Sequence, residues 1–265
     1  MYAFDYHKPK SLADAAAQLG KASDGKLLAG GMTLIPTLKQ RLASPSDLVD
    51  LAGVAELTGI TVSGGTVTVG AMTRHAVVAA SAEVQKAIPA LASLAGGIGD
   101  PMVRNRGTIG GSVANSDPAA DYPAAVLGLG ATVHTNKRTI AADDFFTGMF
   151  ETALQPGELI VKIAFPAPKR AAYTKFKNPA SRYAIVGVMV ADTASGIRVA
   201  VTGAGPKVFR QKEFEAALTK SFTAAALDGI KVSATGLNSD IHASAEYRAH
   251  LIGVMAKRAV TAALG

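Results

Sequence analysis

Two loops constrain this chain more than any other feature: Leu28-Ala29-Gly30-Gly31-Met32-Thr33-Leu34 and Arg106-Gly107-Thr108-Ile109-Gly110-Gly111-Ser112 each set adjacent glycines beside a hydroxyl side chain. Adjacent glycines let consecutive backbone N–H groups turn into a concave nest, and the missing Cβ lets an anion approach the main chain. A helix starting just after the first loop adds its positive end. Either pair alone reads as an ordinary turn. Two of them, with Thr33 and Thr108 placed to donate, describe a cradle for the two phosphates of a dinucleotide. There is no Walker A sequence, and neither Gly128-Leu129-Gly130 nor Gly203-Ala204-Gly205 extends into the dinucleotide fingerprint, so a Rossmann domain is not expected.

The patterning around these loops predicts an α+β chain. Ser11 can cap a helix that starts at Leu12, has Asp14 at its third position and closes at Gly20. A strand over 26–29 runs into the first glycine pair. Thr33 then caps a second helix that continues through Leu38, with Pro36 in its first turn, and a strand follows over 47–51. Alternation over 57–70 about Gly64-Gly65 reads as a hairpin. A helical stretch over 73–95, a glycine-rich loop over 96–115 and an apolar helix around 123–129 come next. Strands over 131–135, 139–141 and 159–165 complete a second lobe. Pro166, Pro168, Lys169 and Arg170 read as a linker. Beyond it, strands over 173–176, 185–191 and 197–202 precede helices over 213–218 and 244–264, the order of a separate α+β domain. The expected organisation is residues 1–168, with lobes of about 1–55 and 56–168, followed by residues 169–265.

Composition narrows the chemistry. Hydrophobic residues are 49% of the 265 and charged residues 18%, a globular balance. The chain has no cysteine, so it cannot form a disulfide framework, a thiolate zinc site or a self-ligated iron–sulfur cluster. Any iron–sulfur chemistry must come from a partner. The opening MYAFDYHKPK lacks the pattern of a secretory signal, and apolar runs such as 184–191 fall short of the ~20 residues that span a bilayer, so a cytoplasmic chain without a membrane span is expected. The formal charge of +7 arises from scattered pairs (Arg104/Arg106, Lys137/Arg138, Lys169/Arg170) without a long basic run or interleaved aromatics. Nucleic-acid binding is not expected, and docking onto an acidic protein surface accounts for the excess. The histidines, His7, His75, His134, His242 and His250, show no metal-ligand spacing. Asp143-Asp144 is not read as a dyad because neighbouring side chains point apart. No nucleophile–base or acid–base pair emerges, so no catalytic residue is assigned.

The run Ile98-Gly99-Asp100-Pro101-Met102-Val103-Arg104-Asn105-Arg106-Gly107-Thr108-Ile109-Gly110-Gly111-Ser112, continued by Asp117-Pro118-Ala119-Ala120-Asp121, resembles the flavin signature of the xanthine dehydrogenase and aerobic carbon monoxide dehydrogenase family of molybdenum hydroxylases. Ala29-Gly30-Gly31 resembles its other signature, and the likeness extends through 173–190 into Ala243-Ser244-Ala245-Glu246-Tyr247-Arg248. The resemblance implies an FAD-binding (medium) subunit with a two-lobed flavin domain of the vanillyl-alcohol-oxidase (PCMH) type and a small C-terminal α+β domain with an antiparallel sheet and helices. Ala29, Gly30, Gly31, Met32 and Thr33, with Thr108, Ile109, Gly110, Gly111 and Ser112, would hold the pyrophosphate. Asp121 would accept hydrogen bonds from FAD hydroxyls, a role suited to a carboxylate, which would repel phosphates. Ile160 would pack near the adenine. Lys175 would lie near the isoalloxazine and stabilise negative charge on the reduced flavin, with Tyr183 stacked on one ring face and Ile98 on the approach to the other. The family often carries an arginine after Lys175 and an acidic residue near Tyr183, where this chain has Asn178-Pro179-Ala180-Ser181-Arg182.

The resemblance further implies that [2Fe–2S] clusters and molybdenum–pterin reside only in partners, a small iron–sulfur subunit and a large molybdopterin subunit, assembled as a dimer of heterotrimers. Electrons would leave through the FAD to an acceptor, whether NAD, a quinone, a carrier protein or oxygen. A free-standing flavin oxidase or reductase and a flavin-binding assembly protein are the other readings.

Overall fold

The computed structural model describes all 265 residues. In the first lobe the strand Asp47–Asp50 lies between Asp5–His7 and Gly25–Leu28, parallel to both. The helix Leu12–Lys21 covers this sheet through Ala15, which packs with Val49, Leu51, Val54 and Leu57. Ser11 caps it as expected, its Oγ accepting from the Asp14 N–H at 3.1 Å. Glu56, from a distant segment, takes the Leu12 N–H at 2.5 Å. The helix does not close at Gly20. It runs on to Lys21, and the chain turns extended at Ala22. Thr33 departs from expectation too: it precedes the helix Leu34–Lys39 in helical conformation and its hydroxyl makes no cap bond. Its carbonyl accepts from both the N–H and the hydroxyl of Thr37, which leaves its own hydroxyl free of the helix.

The second lobe is built on a five-stranded antiparallel sheet in the order Ile60–Ser63, Thr66–Gly70, Ile160–Pro166, Thr132–Thr135, Thr139–Ala141. Its hairpin turns through Gly64 and Gly65 at φ +55° and +73°, as a tight primed turn requires. The single helix expected over 73–95 is three: His75–Ala80, Ala82–Ala87 and Pro89–Gly96. Ser81 interrupts the run and caps the second piece. Pro89 forces the break at Ile88, since a proline lacks an N–H and drives the preceding residue out of helical backbone. The expected loop over 96–115 contains two helices, Pro101–Arg106 capped by Asp100 and Ile109–Asn115 capped by Thr108. Buried Ile109 and Val113 hold the latter in the core.

The C-terminal sheet is antiparallel, in the order Arg170–Lys177, Ala184–Thr193, Gly196–Thr202, Phe209–Arg210. One face packs on the helices Lys212–Lys220 and Ala245–Leu264, with Val186, Val188 and Val190 against Ile252 and Met255. The other face, through Met189, Ala191 and Ala200, belongs to the core of the second lobe. A strand buried on both sides reads as a continuous apolar run rather than an alternation, which explains 184–191. Asp143 is structural: it pairs with Arg198 at 2.8 Å and Arg210 at 3.3 Å, tying the lobe to this sheet. The expected mixed fold, a two-lobed domain followed by a sheet-and-helix domain, is what forms. No helix is long and apolar enough to cross a membrane.

Candidate functional site

A cavity of about 510 Å³ opens where the two lobes and the C-terminal sheet meet. The first lobe lines it with Leu27 and residues 29–34, the second with Ile98, Thr108, Ser112, Asp121 and Ile160, and the C-terminal domain with Tyr183. Ala29, Gly30, Gly31, Met32, Thr33, Ile98, Thr108, Gly110, Gly111, Ser112, Asp121, Ile160 and Tyr183 all reach the cavity wall. Ile109 and Lys175 do not: Ile109 is in the core, and Lys175 stands behind the wall.

The two glycine loops differ in what they offer. In the first, the N–H groups of Gly30, Gly31, Met32 and Thr33 have no acceptor within the protein, and Gly31 holds φ +73°. Consecutive unpaired donors on a turn of this kind form an anion nest. In the second, the donors are already spent and the nest expected there does not form. Ile109 N–H goes to the Thr73 carbonyl at 3.1 Å, Gly110 N–H to the Ala71 carbonyl at 2.8 Å, and Gly111 N–H to Thr108 Oγ1 at 3.2 Å. Its glycines serve packing, since a Cβ on Gly110 would sit 2.5 Å from Ala71 Cβ. Toward the cavity this loop can present the hydroxyls of Thr108 and Ser112 instead. The loops abut main chain to main chain, and a Cβ on Gly30 would lie 2.2 Å from the Arg106 carbonyl oxygen.

Asp121 is buried at the cavity wall, where it accepts from the Tyr173 hydroxyl at 2.5 Å and the Lys175 ammonium at 3.0 Å. Burial raises its pKa above the ordinary carboxylate value, against the charge of Lys175 and the Tyr173 and Lys175 hydrogen bonds. Lys175 also donates to the Gly97 carbonyl at 2.9 Å, so it fastens the C-terminal sheet to the segment leading to Ile98. A carboxylate has about four lone-pair sites, so Asp121 retains acceptor capacity toward the cavity. Tyr183 stands half-exposed at the wall. Tyr173 was not singled out from sequence, because a tyrosine in a strand carries no signal until its partner 52 residues away is known.

His75 is the other residue missed. It lines the cavity, its backbone N–H donates to the Gly107 carbonyl at 3.0 Å, and its ring lies against Gly107. Burial, helped by the charge of Arg104, lowers its pKa to about 4. The unfolded chain therefore binds a proton on this residue between about 6.5 and about 4 that the folded chain refuses. The stability this contributes is complete above the upper value and is lost as pH falls through the window, by about 3 kcal/mol in all. Urea unfolding at pH 7 and at pH 4 checks this. His75→Leu should flatten the dependence, and an equal slope in both proteins would contradict it.

No three acidic or histidine side chains come close enough together to hold a metal ion. What the cavity can do is bind: an anion at the first loop, hydroxyls at Asp121, and flat apolar groups against Ile98, Ile160 and Tyr183. An elongated molecule with a diphosphate, sugar-type hydroxyls and ring systems, as FAD is, fits these residues.

Two family models cover the chain, the FAD binding domain in molybdopterin dehydrogenase over residues 2–168 and the CO dehydrogenase flavoprotein C-terminal domain over residues 171–263. The chain is 39% identical to the carbon monoxide dehydrogenase medium chain of Hydrogenophaga pseudoflava, over 98% of its own length and 96% of that protein's. It is 36% identical to the nicotine 6-hydroxylase medium subunit of Paenarthrobacter nicotinovorans, over 98% and 97%. The solved structure of reconstituted CO dehydrogenase from Oligotropha carboxidovorans superposes with a TM-score of 0.92 at 37% identity, covering 98% of this chain and 97% of that one. The chain thus belongs to the FAD-binding medium subunits of the carbon monoxide dehydrogenase and xanthine dehydrogenase family of molybdenum hydroxylases.

Proposed function

We propose that this chain holds one FAD and serves as the electron exit of a cytoplasmic molybdenum hydroxylase complex. In this reading a large molybdopterin subunit oxidises the substrate, a small subunit carries the electrons through [2Fe–2S] clusters, and the assembly is a dimer of such heterotrimers. The observation that carries the reading is the row of four unpaired N–H groups at Gly30–Thr33, in a cavity shared by both lobes and the C-terminal domain. Bound FAD supplies the redox chemistry, and the protein supplies binding, orientation and electrostatics.

The N–H groups of Gly30, Gly31, Met32 and Thr33 and the hydroxyls of Thr33, Thr108 and Ser112 hold the pyrophosphate, with Ala29, Ile109, Gly110 and Gly111 as the packed frame that keeps the two loops in contact. Asp121 accepts from the sugar-type hydroxyls and is itself fixed by Tyr173 and Lys175. Ile160 packs near the adenine, and Ile98 and Tyr183 flank the ring system. The Lys175 ammonium adds positive charge behind the wall, which favours the more negative, reduced state of whatever the cavity holds. None of these groups is arranged as a nucleophile with a base, which suits a conduit that passes electrons rather than a pocket that works on its own substrate.

Heat release and chromatography of the flavin from the native complex should give about one FAD per copy of this chain, as expected for a single preorganised nest. FMN alone, or no flavin in a folded complex, would sink the reading. Anaerobic stopped-flow mixing with the complex's substrate should bleach the flavin rapidly in the assembled complex and not in the isolated chain. Rapid bleaching in the isolated chain would favour a free-standing flavin enzyme, and bleaching in neither would favour an assembly role.

A further inference from the structure

Two carboxylates reach the wall of the cavity, Asp117 and Asp121, and only Asp121 has a cation beside it. Asp117 makes no ion pair. It is half-buried, and it comes just after the C-terminal end of the helix Ile109–Asn115, where the helix dipole is negative. Both placements disfavour a charge. Burial raises its pKa above the ordinary carboxylate value, against a bond from the Ala119 N–H. The position is nonetheless held firmly. Asp117 Oδ1 accepts from the Ala119 N–H at 2.9 Å, and the Asp117 carbonyl accepts from the Ala120 N–H at 3.0 Å. The C-terminal sheet grips the next residue, Pro118, whose carbonyl accepts from the Gly203 N–H at 2.7 Å and the Thr202 hydroxyl at 3.0 Å. Oδ2 keeps its acceptor capacity for the cavity. The Tyr183 hydroxyl is close by, its pKa raised by burial and then by the charges of Asp117 and Asp121. The other titratable groups on this wall are Lys26, which pairs with Asp24 at 3.0 Å, and His75, which its lowered pKa keeps neutral. Lys175, behind the wall, is engaged with Asp121 and the Gly97 carbonyl.

Resting on the FAD-holding role proposed above, we infer that Asp117 couples the redox state of the bound flavin to pH: ionised, its carboxylate opposes negative charge on the reduced ring, and once it takes a proton the opposition ends. Electrons that reach the flavin add negative charge to a cavity that already holds an uncompensated carboxylate. Full reduction puts two electrons and one proton on the ring. A second proton, from solvent through the mouth, goes to Asp117 Oδ2 and leaves again on reoxidation. The coupling is reciprocal, so protonation of Asp117 favours the reduced flavin and reduction favours protonated Asp117. Lys175 thus supplies a fixed positive charge, and Asp117 a negative one that solvent can switch off. A carboxylate retained where its surroundings disfavour it is more often a working group than a packing one. Asp117 acts through its field and not on a reacting atom, so it tunes the site and is not a catalytic residue.

The test uses the full chain with bound FAD, alone or within its native complex, equilibrated anaerobically with a redox dye during slow reduction. Absorbance gives the ratio of reduced to oxidised flavin at a fixed state of the dye. Asp117→Asn keeps an acceptor for the Ala119 N–H and removes the charge. At pH 8 it should raise the ratio by on the order of tenfold, the size expected for unit charges about 10 Å apart at an effective dielectric of about 20. Toward pH 5 the unaltered chain takes up the proton, and the gap between the two proteins should narrow several-fold. The ring's own proton is common to both and drops out of the comparison. Asp117→Ser, which keeps a turn-forming oxygen without the charge, should behave as Asp117→Asn does, so a folding failure of one variant leaves the other to decide. All should carry equal FAD. No gap at pH 8, or a gap equally wide at pH 5, overturns the coupling and leaves the FAD-holding role standing. Loss of FAD from the variants alone also overturns it, making Asp117 a binding group. An unaltered chain that holds FAD neither alone nor in its complex overturns both.

Discussion

Lys175→Met is expected to destabilise the folded chain by about 3–5 kcal/mol, the cost of leaving a buried charge without its partner. The side chains of Lys175 and Asp121 are only 9% and 4% exposed, so water does little to replace the lost interaction. Without the ammonium, Asp121 keeps only the Tyr173 hydroxyl, and its pKa, already raised by burial, rises further. Asp121→Asn added to Lys175→Met removes the uncompensated charge and should recover much of the loss. Urea denaturation of the two variants at neutral pH measures both effects. If Lys175→Met unfolds at the same urea concentration as the unaltered chain, or the double variant is no better than the single, the ion pair is not holding this junction.

Gly30→Ala should weaken FAD binding by roughly 5- to 150-fold, from an overpacking cost of about 1–3 kcal/mol. The new methyl would meet the Arg106 carbonyl and the Gly107 Cα, and no side-chain rotation relieves contact between two main chains. The first loop must therefore move off the second, carrying with it the four donors that form the nest. Tyr183→Ala removes a half-exposed ring from the mouth and leaves those donors in place, so it should retain more flavin. Equilibrium dialysis of FAD against the two folded variants gives the ranking, and the reverse order would contradict the assignment of the pyrophosphate to the first loop.

Local chemistry makes some of this legible in the sequence. Ser11 acts on an N–H three residues away, and Gly64-Gly65 turns a hairpin whose strands adjoin it, so sequence neighbourhood was enough. Both glycine loops line the one cavity, but the reason for the second loop's glycines was hidden. Gly110 is glycine because Ala71 presses on it, and nothing near residue 110 announces that. The helices Pro101–Arg106 and Ile109–Asn115 are too short to show a period, and glycines and a proline within them speak for a loop. Thr33 has the composition of a cap, but its backbone is already helical and its hydroxyl makes no cap bond. His75, Tyr173 and the partners of Asp121 owe their roles to contacts between distant segments, for which a single sequence carries no local mark.

The strand Ala184–Thr193 also bears on how such a protein can change over generations. Over residues 188–191 its odd and even residues answer to different neighbours: Val188 and Val190 to the C-terminal helices, Met189 and Ala191 to the flavin lobe. A substitution and its immediate successor along the chain are thus screened by unrelated surroundings. The C-terminal domain cannot be exchanged with a relative's as a module, because half of one strand would arrive fitted to a stranger's lobe. Tolerated exchanges would have to carry the helix Tyr122–Gly128 along with the strand, since a Cβ on Gly128 would meet the Met189 side chain at 2.6 Å.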